Sequence, residues 1–597
     1  MKRRHPPDKM SSAFLPAFTI DRLVESGAWW NILFVAAIHT QFSVLCAAFG
    51  LATKSYQVRA TLMLVERALA FVSAVSFLSF GVQLKGLIGT TGIAPAVTVM
   101  KRRFTASEWY SRSWKERFKA VDKFPTVFWF IGASNGALQA TCLCGFLASL
   151  ILCFSSGPFA SVLWAVCYVT HMSLIAVSGD FLGLQSDSNL CETSALLAVL
   201  ALFRVCGGDD DATVCASLQV LRFLAKRKML GCGLCKFYGS PMWRAGTAMQ
   251  SHYYTQPLPN PMSIVAHRLP AALHRLTCRA TFFVEIALPL VGALPLQAAR
   301  LLACAGFVGI NVAINLTGNY GMIGALSVAE SLSLLDDSVL PWAGGEDSGG
   351  DDGAGHSVVI GTLFCVITAG GRLGIAAILC AYVAASLPPL AQAARDRVHW
   401  PSVKLCGWCD FFYRRARRYR ACNYYAKFGS MHDFRWEIII QGTEDDEEWK
   451  TYGFRYKPWN AAIRPPWVLL HLPRLDWRLW FLPLGCKRQG AAYEPPAWLE
   501  GLLGGILRHD PAVLALLSRE LNPFPHAPPR RVRTRLVAFS FAEGQPAPAA
   551  PGSGARLLGH VHWHTAEVGS GTGRWDTTSL CLEMARDQGS SLALACE

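Results

Sequence analysis

Ionisable side chains that interrupt apolar stretches are the residues of this sequence best placed to do chemistry. Five of them lie within or at the edge of such a stretch: Lys85, Asp180, Asp187, Glu192 and Glu285. A charge in hydrocarbon is costly and therefore needs a partner or a purpose. In one interpretation, Glu192 and Glu285 line a polar cavity with a basic group. That group would be Lys85, Lys236 or His252, the last as a general base. In the other, which the pattern favours, ion pairs fix the register of neighbouring helices.

A proline-rich segment, "SHYYTQPLPNPMSIVAHRLP" (residues 251–270), separates two strongly apolar regions. Prolines at 257, 259 and 261 fix φ and favour polyproline-II geometry. Tyr253 and Tyr254 suit a membrane interface, where the ring is in an apolar layer and the hydroxyl is wet. The sequence therefore predicts a stiff interfacial or luminal loop that caps the helices. Whether it binds a partner or braces the bundle stays open.

Three motifs have the residue types of redox or metal sites. "CGLC" (232–235) and "CGWC" (406–409) have redox spacing, but neither has the βαβ context that lowers a thiol pKa. "HVHWH" (560–564) has the composition of a linker around it, which favours a solvated tail over a metal site. We therefore predict no catalytic, cofactor-binding or metal-binding residues.

The composition points to a membrane protein. Of the 597 residues, 52% are hydrophobic and only 16% are charged, whereas soluble proteins carry about 25% charged residues. A spanning helix needs roughly 20 apolar residues, and several runs meet this length; about seven to nine membrane elements are predicted, the range reflecting short and merged runs. The runs are Met63–Leu84, Val127–Phe154, Pro158–Leu182, Cys191–Val205, Ala280–Leu296, Leu301–Leu316 and Ser357–Leu387, with Ile32–Leu51 as an additional candidate.

The net charge of +15 is spread over several clusters. They are predicted to be loops beside apolar runs, as in Lys101–Lys123, Arg222–Lys228 and Arg414–Arg420. Such clusters set membrane topology and attract anionic lipid headgroups. The pattern thus predicts contact with membrane lipids and argues against a nucleic-acid partner.

The chain changes character towards its C-terminus. Residues 434–458 alternate as two strands around an acidic turn, 495–519 have helical spacing, and 530–541 predict a third strand. The predicted fold is a polytopic α-helical membrane bundle with a small C-terminal α+β domain, made of a β-hairpin, a helix and a strand. The predicted divisions are an N-terminal extension (1–59), a transmembrane domain (60–390), a basic connector (391–433), the α+β domain (434–543) and a low-complexity linker and tail (544–597).

An ordered string of motifs carries a family resemblance. It comprises "GLIGTTGIAPA", "FLGLQSDSNLCETSALLA", "GCGLCKFYGSPMWR", "SHYYTQPLPNP", "HRLPAALHRL", "TFFVEIALPL", "NLTGNYG", "LSLLDD", "WEIIIQG", "EWKTYGFRYKP", "RPPWVLLHLPRLDWRLWF" and "NPFPHAPPRRVR". Over residues 60–340 and 430–541 the sequence resembles the lipase maturation factor family. The resemblance implies a multi-pass endoplasmic-reticulum membrane protein, without catalysis of its own, that helps immature secreted lipases fold and assemble.

Two questions depend on this resemblance. It implies a luminal C-terminal domain, whereas the positive-inside rule holds the basic 414–420 connector in the cytosol; we follow the family. The membrane half is also distantly similar to carboxylase-type membrane domains. The alternative function is therefore a membrane-embedded enzyme acting on a lipid-soluble or protein substrate. For partner binding, the sequence suggests an aromatic patch of tryptophans, although core packing explains most of them better. The tryptophans are Trp436, Trp449, Trp459, Trp467 and Trp477.

Overall fold

A computed structural model gives the structure of the chain. It describes residues 57–103, 113–155, 159–207, 211–342, parts of 374–392, 407–460, 463–489, 495–541, 563–567 and 583–585. The candidate span Ile32–Leu51, most of Ser357–Leu387 and Cys406 lie outside the described residues.

Helices make up most of the described chain. The membrane half contains α1 Arg59–Gly81, α2 Leu84–Ile88, α3 Ala96–Arg103, α4 Trp114–Lys123, α5 Phe128–Ile131, α6 Asn135–Phe154, α7 Ala160–Val177, α8 Gln185–Gly207, α9 Asp211–Gly239, α10 Pro241–Ala245, α11 Ala248–Thr255, α12 Pro261–His267, α13 Ala271–Phe282, α14 Leu288–Val291, α15 Gln297–Leu316, α16 Met322–Ser331 and α17 Cys380–Leu390. A π-helix, Phe283–Ala287, joins α13 to α14, and two 3₁₀ turns, Leu332–Leu334 and Asp337–Val339, follow α16. The remaining helices are α18 Gly407–Arg418, α19 Arg474–Gln489, α20 Ala497–Leu507 and α21 Pro511–Leu514.

Five of the described helices, α1, α6, α7, α8 and α15, are long and apolar enough to cross a membrane. The chain is therefore a multi-pass membrane protein. Two predicted runs have different bounds. The run Val127–Phe154 is broken at Gly132, whose φ of 73° ends α5, so that α6 begins only at Asn135. The run Ala280–Leu296 is divided between the end of α13, the π-helix and α14.

Small residues let α1 and α6 pack closely. A Cβ at Gly145 would come within 2.3 Å of the Phe77 ring, so only glycine fits between the two helices. One turn further, the hydroxyls of Ser149 and Ser73 are 2.9 Å apart. Close backbone approach with a buried polar contact is typical of helix pairs in membranes, where apolar burial alone gives no preference for protein over lipid.

The C-terminal sheet confirms the predicted hairpin and third strand. β1 Trp436–Thr443 pairs antiparallel with the short β2 Lys450–Thr451. On its other side, β1 pairs antiparallel along its whole length with β3 Arg531–Phe541. Two further strands, β4 Trp563–Glu567 and β5 Glu583–Ala585, pair with the outer edge of β3. Both come from the segment for which the sequence predicts a linker and tail, so the sheet extends beyond residue 543.

The sheet and α19–α21 meet one end of the membrane helices, which we call the domain side. The C-terminal ends of α1 and α15 and the N-terminal end of α8 lie there, in contact with residues 471–474 or with the 251–270 segment. The N-terminal ends of α1 and α9 lie at the other end, where Arg59 contacts Asp211. Arg418 contacts Asp122, so the two basic clusters around α4 and α18 lie beside each other. Phe124 packs into the same apolar cluster as Ile438 of β1, which puts both clusters on the domain side.

Candidate functional site

Buried ion pairs, and not loops, account for the basic residues at 222–228. The sequence predicts a loop there, and that prediction is wrong: these residues lie in the middle of the 29-residue helix α9. Acidic groups from other elements neutralise three of the four, Arg222, Arg227 and Lys228. The pairs along α9 are Arg222–Asp336, Arg227–Glu192, Lys228–Glu330 and Lys236–Glu285, and Arg300 of α15 also contacts Asp336. Burying one member without its partner would be strongly unfavourable, so α9 is fixed to its neighbours.

The Glu192 carboxylate accepts hydrogen bonds from residues of the basic connector. Its Oε2 accepts hydrogen bonds from the Asn423 backbone N–H at 2.9 Å and from the Tyr425 hydroxyl at 2.8 Å. The Tyr382 hydroxyl and Arg227 bind Oε1. All four protein partners are buried. Glu192 therefore ties α8, α9 and α17 to the chain that leads into the C-terminal domain.

The 251–270 segment is predicted as an interfacial or luminal loop that caps the helices, but it is mostly helical and buried, which favours bracing of the bundle over partner binding. Residues 248–255 form α11, and Asn260 begins α12 with a reciprocal capping box to Ser263 and Pro261 at the first helical position. The connection 256–260 is fully buried. Tyr253, predicted at the membrane interface, is only 5% exposed and packs with Trp243 and Ile264. The C-terminal domain covers this segment, so the joint that the prolines stiffen is buried.

Six consecutive carbonyls of this segment, from residue 254 to residue 259, accept hydrogen bonds. Arg435, just before β1, donates to the carbonyls of Tyr254, Gln256 and Pro257. Trp480 of α19 donates to Thr255 at 2.9 Å. The backbone N–H of Asn319 donates to the carbonyl of Leu258, and its side-chain amide donates to the carbonyl of Pro259. Proline has no N–H group, so a proline-rich segment cannot form regular backbone hydrogen bonds within itself. Donors from other parts of the chain therefore bind its carbonyls.

Arg435 is itself held by a buried charge pair. Its guanidinium lies 2.5 Å from the Glu437 carboxylate, which also contacts the Lys457 ammonium at 3.0 Å. The side chains of Arg435 and Glu437 are both 0% exposed. This trio belongs to the C-terminal domain, so the clamp on the 251–270 segment is preformed by β1 and its neighbours.

A second joint connects the domain to the membrane helices. Arg474 forms a bidentate pair with Asp187 at 2.7 and 2.8 Å, and both side chains are fully buried. Its backbone N–H donates to Gln83, whose amide donates to the Leu472 carbonyl. This pairing explains why α8 starts at Gln185, six residues before the predicted apolar run: the carboxylate at 187 is compensated.

His471 contributes an uncharged hydrogen bond to this joint. Burial lowers the pKa of His471 to about 4, and the nearby Arg474 adds to the shift. The neutral imidazole Nδ1 lies 3.0 Å from the Ser79 hydroxyl, at the end of α1. At neutral pH the contact is therefore a hydrogen bond between uncharged groups.

The glycine-rich loop Gly86–Ala96 packs under the same domain. A Cβ at Gly86 would lie 2.3 Å from the Ala512 carbonyl oxygen of α21. A Cβ at Gly501 of α20 would lie 2.0 Å from the Ile93 carbonyl. Direct backbone contact of this kind excludes any larger residue. The loop is thus a tight structural connection, and it contributes to the interface.

The polar cavity of the sequence analysis is assembled only in part. A cavity of about 160 Å³ is lined by Lys236, His252 and Glu285, among others. Lys85 is exposed on α2, and Glu192 forms its own cluster with Arg227. Asp180 accepts a hydrogen bond from Trp498, and Asp187 pairs with Arg474. The predicted acids therefore separate into distinct pairs, as the structural interpretation expects.

The other predicted motifs lie apart from this cavity or form only part of it. Cys232 and Cys235 are both buried within α9, one turn apart. Cys409 is buried at the start of α18. Among the described residues, no three histidine, cysteine or acidic side chains lie close enough to hold a metal ion. Of the "HVHWH" histidines, only His564 falls on a described strand, β4.

The five tryptophans do not form one exposed patch. Trp477 is 5% exposed, whereas Trp436, Trp449 and Trp459 are half-buried. Only Trp467 is open, at 48%. Core packing therefore accounts for most of the five tryptophans. Trp467 is instead exposed, together with Leu469.

The three interface anchors Arg435, Arg474 and Asn319 were missed by the sequence analysis. Each lies inside a motif of the family resemblance or directly beside one, but nothing in its own neighbourhood reveals the distant partner. The one local signal is the unmet hydrogen-bonding demand of the proline-rich segment, which requires donors from another part of the chain.

Comparisons with known proteins agree over most of the chain. Residues 60–342 match the lipase maturation factor transmembrane domain, and residues 421–552 match the lipase maturation factor C-terminal domain. The chain is 30% identical to lipase maturation factor 1 of Bos taurus over 500 residues, covering 81% of this chain and 84% of the relative. It is 26% identical to lipase maturation factor 2 of Xenopus tropicalis, covering 80% and 78%. No solved structure gives a significant match.

Proposed function

Because the chain belongs to the lipase maturation factor family, we propose that it is an endoplasmic-reticulum membrane chaperone that assists the folding and assembly of secreted lipases. In this proposal it has no catalytic activity. The membrane helices anchor the protein and hold the C-terminal domain through the two buried joints. The domain then presents a surface of fixed orientation to an immature lipase.

An exposed apolar loop carries this proposal. In residues 463–469, which we call the 463–469 loop, Ile463 is 37% exposed, Trp467 48% and Leu469 81%. The loop is held rigidly, because Asn319 donates to the Pro466 carbonyl at 2.8 Å and accepts from the Val468 N–H at 2.9 Å. Partly folded proteins expose apolar surface, and a rigid apolar loop on the domain side offers it a complementary contact.

Replacing Trp467 and Leu469 together by serine is expected to abolish most lipase maturation. The change removes exposed apolar contact area without opening the core, so the protein itself keeps its stability to within about 0.5 kcal/mol. The measurement is the activity of a lipase secreted by cells that make the variant in place of the wild type, at matched expression.

A matched control is Trp342→Ser. Trp342 is 62% exposed but lies at the other end of the bundle, beyond the Asp337 contact with α1. It should mature lipase normally. Equal activity of the double variant and the control would exclude the 463–469 loop as the client contact.

We also propose that the domain side faces the lumen, since secreted lipases fold there. A tag at the C-terminus should survive protease treatment of sealed microsomes, whereas a tag inserted after Trp342 should be cleaved. Both should be cleaved once detergent is added. Loss of the C-terminal tag without detergent would place the domain in the cytosol and contradict the proposal. The positive-inside rule favours that outcome, because both basic clusters lie on the domain side.

A further inference from the structure

The cavity of about 160 Å³ lies where the C-terminal part of α9 meets α11, α13, α15 and α16. Most of its wall is apolar, and Met229, Cys232, Trp243, Met249, Ile310 and Ile314 contribute to it. An engineered apolar cavity of about 150 Å³ accommodates benzene. The cavity is therefore large enough for one compact apolar group.

The charges in the wall leave a net positive charge. Lys236 is neutralised by Glu285 at 2.7 Å, and Lys228 by Glu330. Lys427 of the basic connector also lines the cavity. Among the described residues, its ammonium forms no ion pair or hydrogen bond, and Glu330 and Glu285, which interact with it over a longer distance, are already paired with Lys228 and Lys236. Lys427 is only half-buried, and its partial desolvation, with Lys228 nearby, lowers the pKa of Lys427 to about 8. An anion beside the ammonium would compensate this charge.

We propose that the cavity binds an anionic amphiphile, whose carboxylate or phosphate pairs with Lys427 and the nearest part of whose acyl chain enters the cavity. A free inorganic anion fits poorly, because it would lose its hydration against a largely apolar wall. A neutral lipid would leave the ammonium without a partner. Both halves of the ligand are thus required by the chemistry of the wall. This site is independent of lipase maturation, and its test does not require a client.

The test uses full-length protein in detergent and three probes with the same diazirine-bearing chain: a fatty acid, a phosphatidic acid and a fatty alcohol. After illumination, labelled peptides are identified by mass spectrometry. An anionic probe should label residues in 229–253 or 310–314, and the alcohol should label them weakly. Labelling by the fatty acid alone identifies a free carboxylate as the ligand, and labelling by the phosphatidic acid alone identifies a phospholipid.

Two variants test the charge contact with Lys427 and the volume of the cavity separately. Lys427→Gln should reduce labelling by about tenfold, the loss expected for one charge-assisted hydrogen bond, and Lys427→Arg should restore it. Thr281→Phe should block labelling by filling the cavity from α13, where Thr281 lines the wall. Thermal unfolding shows whether each variant is folded.

Equal labelling by the alcohol, or undiminished labelling of both Lys427→Gln and Thr281→Phe, overturns the proposal. If Lys427→Gln does not fold, competition on the wild-type protein decides. Unlabelled fatty acid or phosphatidic acid should then displace the probe and unlabelled alcohol should not. Equal displacement by the alcohol would exclude the charge contact. A failure here leaves the lipase experiments unaffected, and loss of client contact at the 463–469 loop would leave labelling unchanged.

Discussion

Replacing Arg474 by methionine is expected to destabilise the protein by about 3–5 kcal/mol, the cost of leaving a buried charge without its partner. Asp187 would remain fully buried with no cation. Because its carboxylate lies at the start of α8 and Arg474 at the start of α19, the loss falls on the joint between membrane helices and domain. Lipase maturation should be lost with it.

The thermal midpoint in detergent and the activity of a co-expressed lipase measure this effect. The double variant Asp187→Leu with Arg474→Met should be more stable than the single one, because no unpaired charge is left. Arg59→Met is a matched control, since its pair with Asp211 is exposed and contributes little. A single variant as stable as the wild type would show that Asp187 finds another partner or takes up a proton.

The elements that the sequence predicts correctly are those whose signals are local. The helices α1, α7 and α15 have 23, 18 and 20 residues, close to the length needed to cross a membrane, so length and apolar composition identify them. The strand β1 has a β-branched run, and an acidic turn follows it. Neither depends on contacts with distant residues. The family resemblance indicates the order of the membrane domain and the C-terminal domain along the chain.

The predictions that failed depended on distant partners. Arg222–Lys228 has the composition of a basic loop, and Glu192, Glu330 and Asp336 neutralise three of its four charges within a helix. These acids are 35 to 114 residues away in sequence. A charge count along the chain cannot show such pairing. The closest signal is that charged residues of both signs interrupt the apolar regions, which is why ion pairs were favoured over a catalytic cavity.

The 251–270 segment was misplaced for a related reason. Polar groups and prolines are typical of exposed loops, and its surroundings suggested a cap. The same composition is compatible with burial when other parts of the chain supply the donors. Arg435, Trp480 and Asn319 do so here. The stiffness predicted from the prolines and the hydrogen bonds seen in the structure therefore give two separate explanations of how the segment is held.

Arg435→Met distinguishes these explanations. The variant removes the donors to the carbonyls of Tyr254, Gln256 and Pro257 and one of the two cationic partners of Glu437, leaving Lys457. Because these groups are buried, apart from the half-buried Tyr254, and three carbonyls lose their donor at once, we expect a loss of about 3–5 kcal/mol. Arg435→Lys keeps the charge but lacks the fork that reaches three carbonyls, so it should be intermediate.

The comparison is the triple variant Pro257→Ala, Pro259→Ala and Pro261→Ala. Stiffness contributes through the unfolded chain, at about 0.4–1 kcal/mol for each site, so the triple variant should lose less than Arg435→Met. Thermal midpoints and the rate of proteolysis within 245–270 measure both. If the triple variant is the less stable and Arg435→Met is near wild type, then proline stiffness holds the segment. The domain would then be joined to the membrane helices mainly through Arg474. The expected order instead makes Arg435 the residue by which the C-terminal domain fixes the 251–270 segment, and a variant that loses it should fail to mature lipase even when it reaches the membrane.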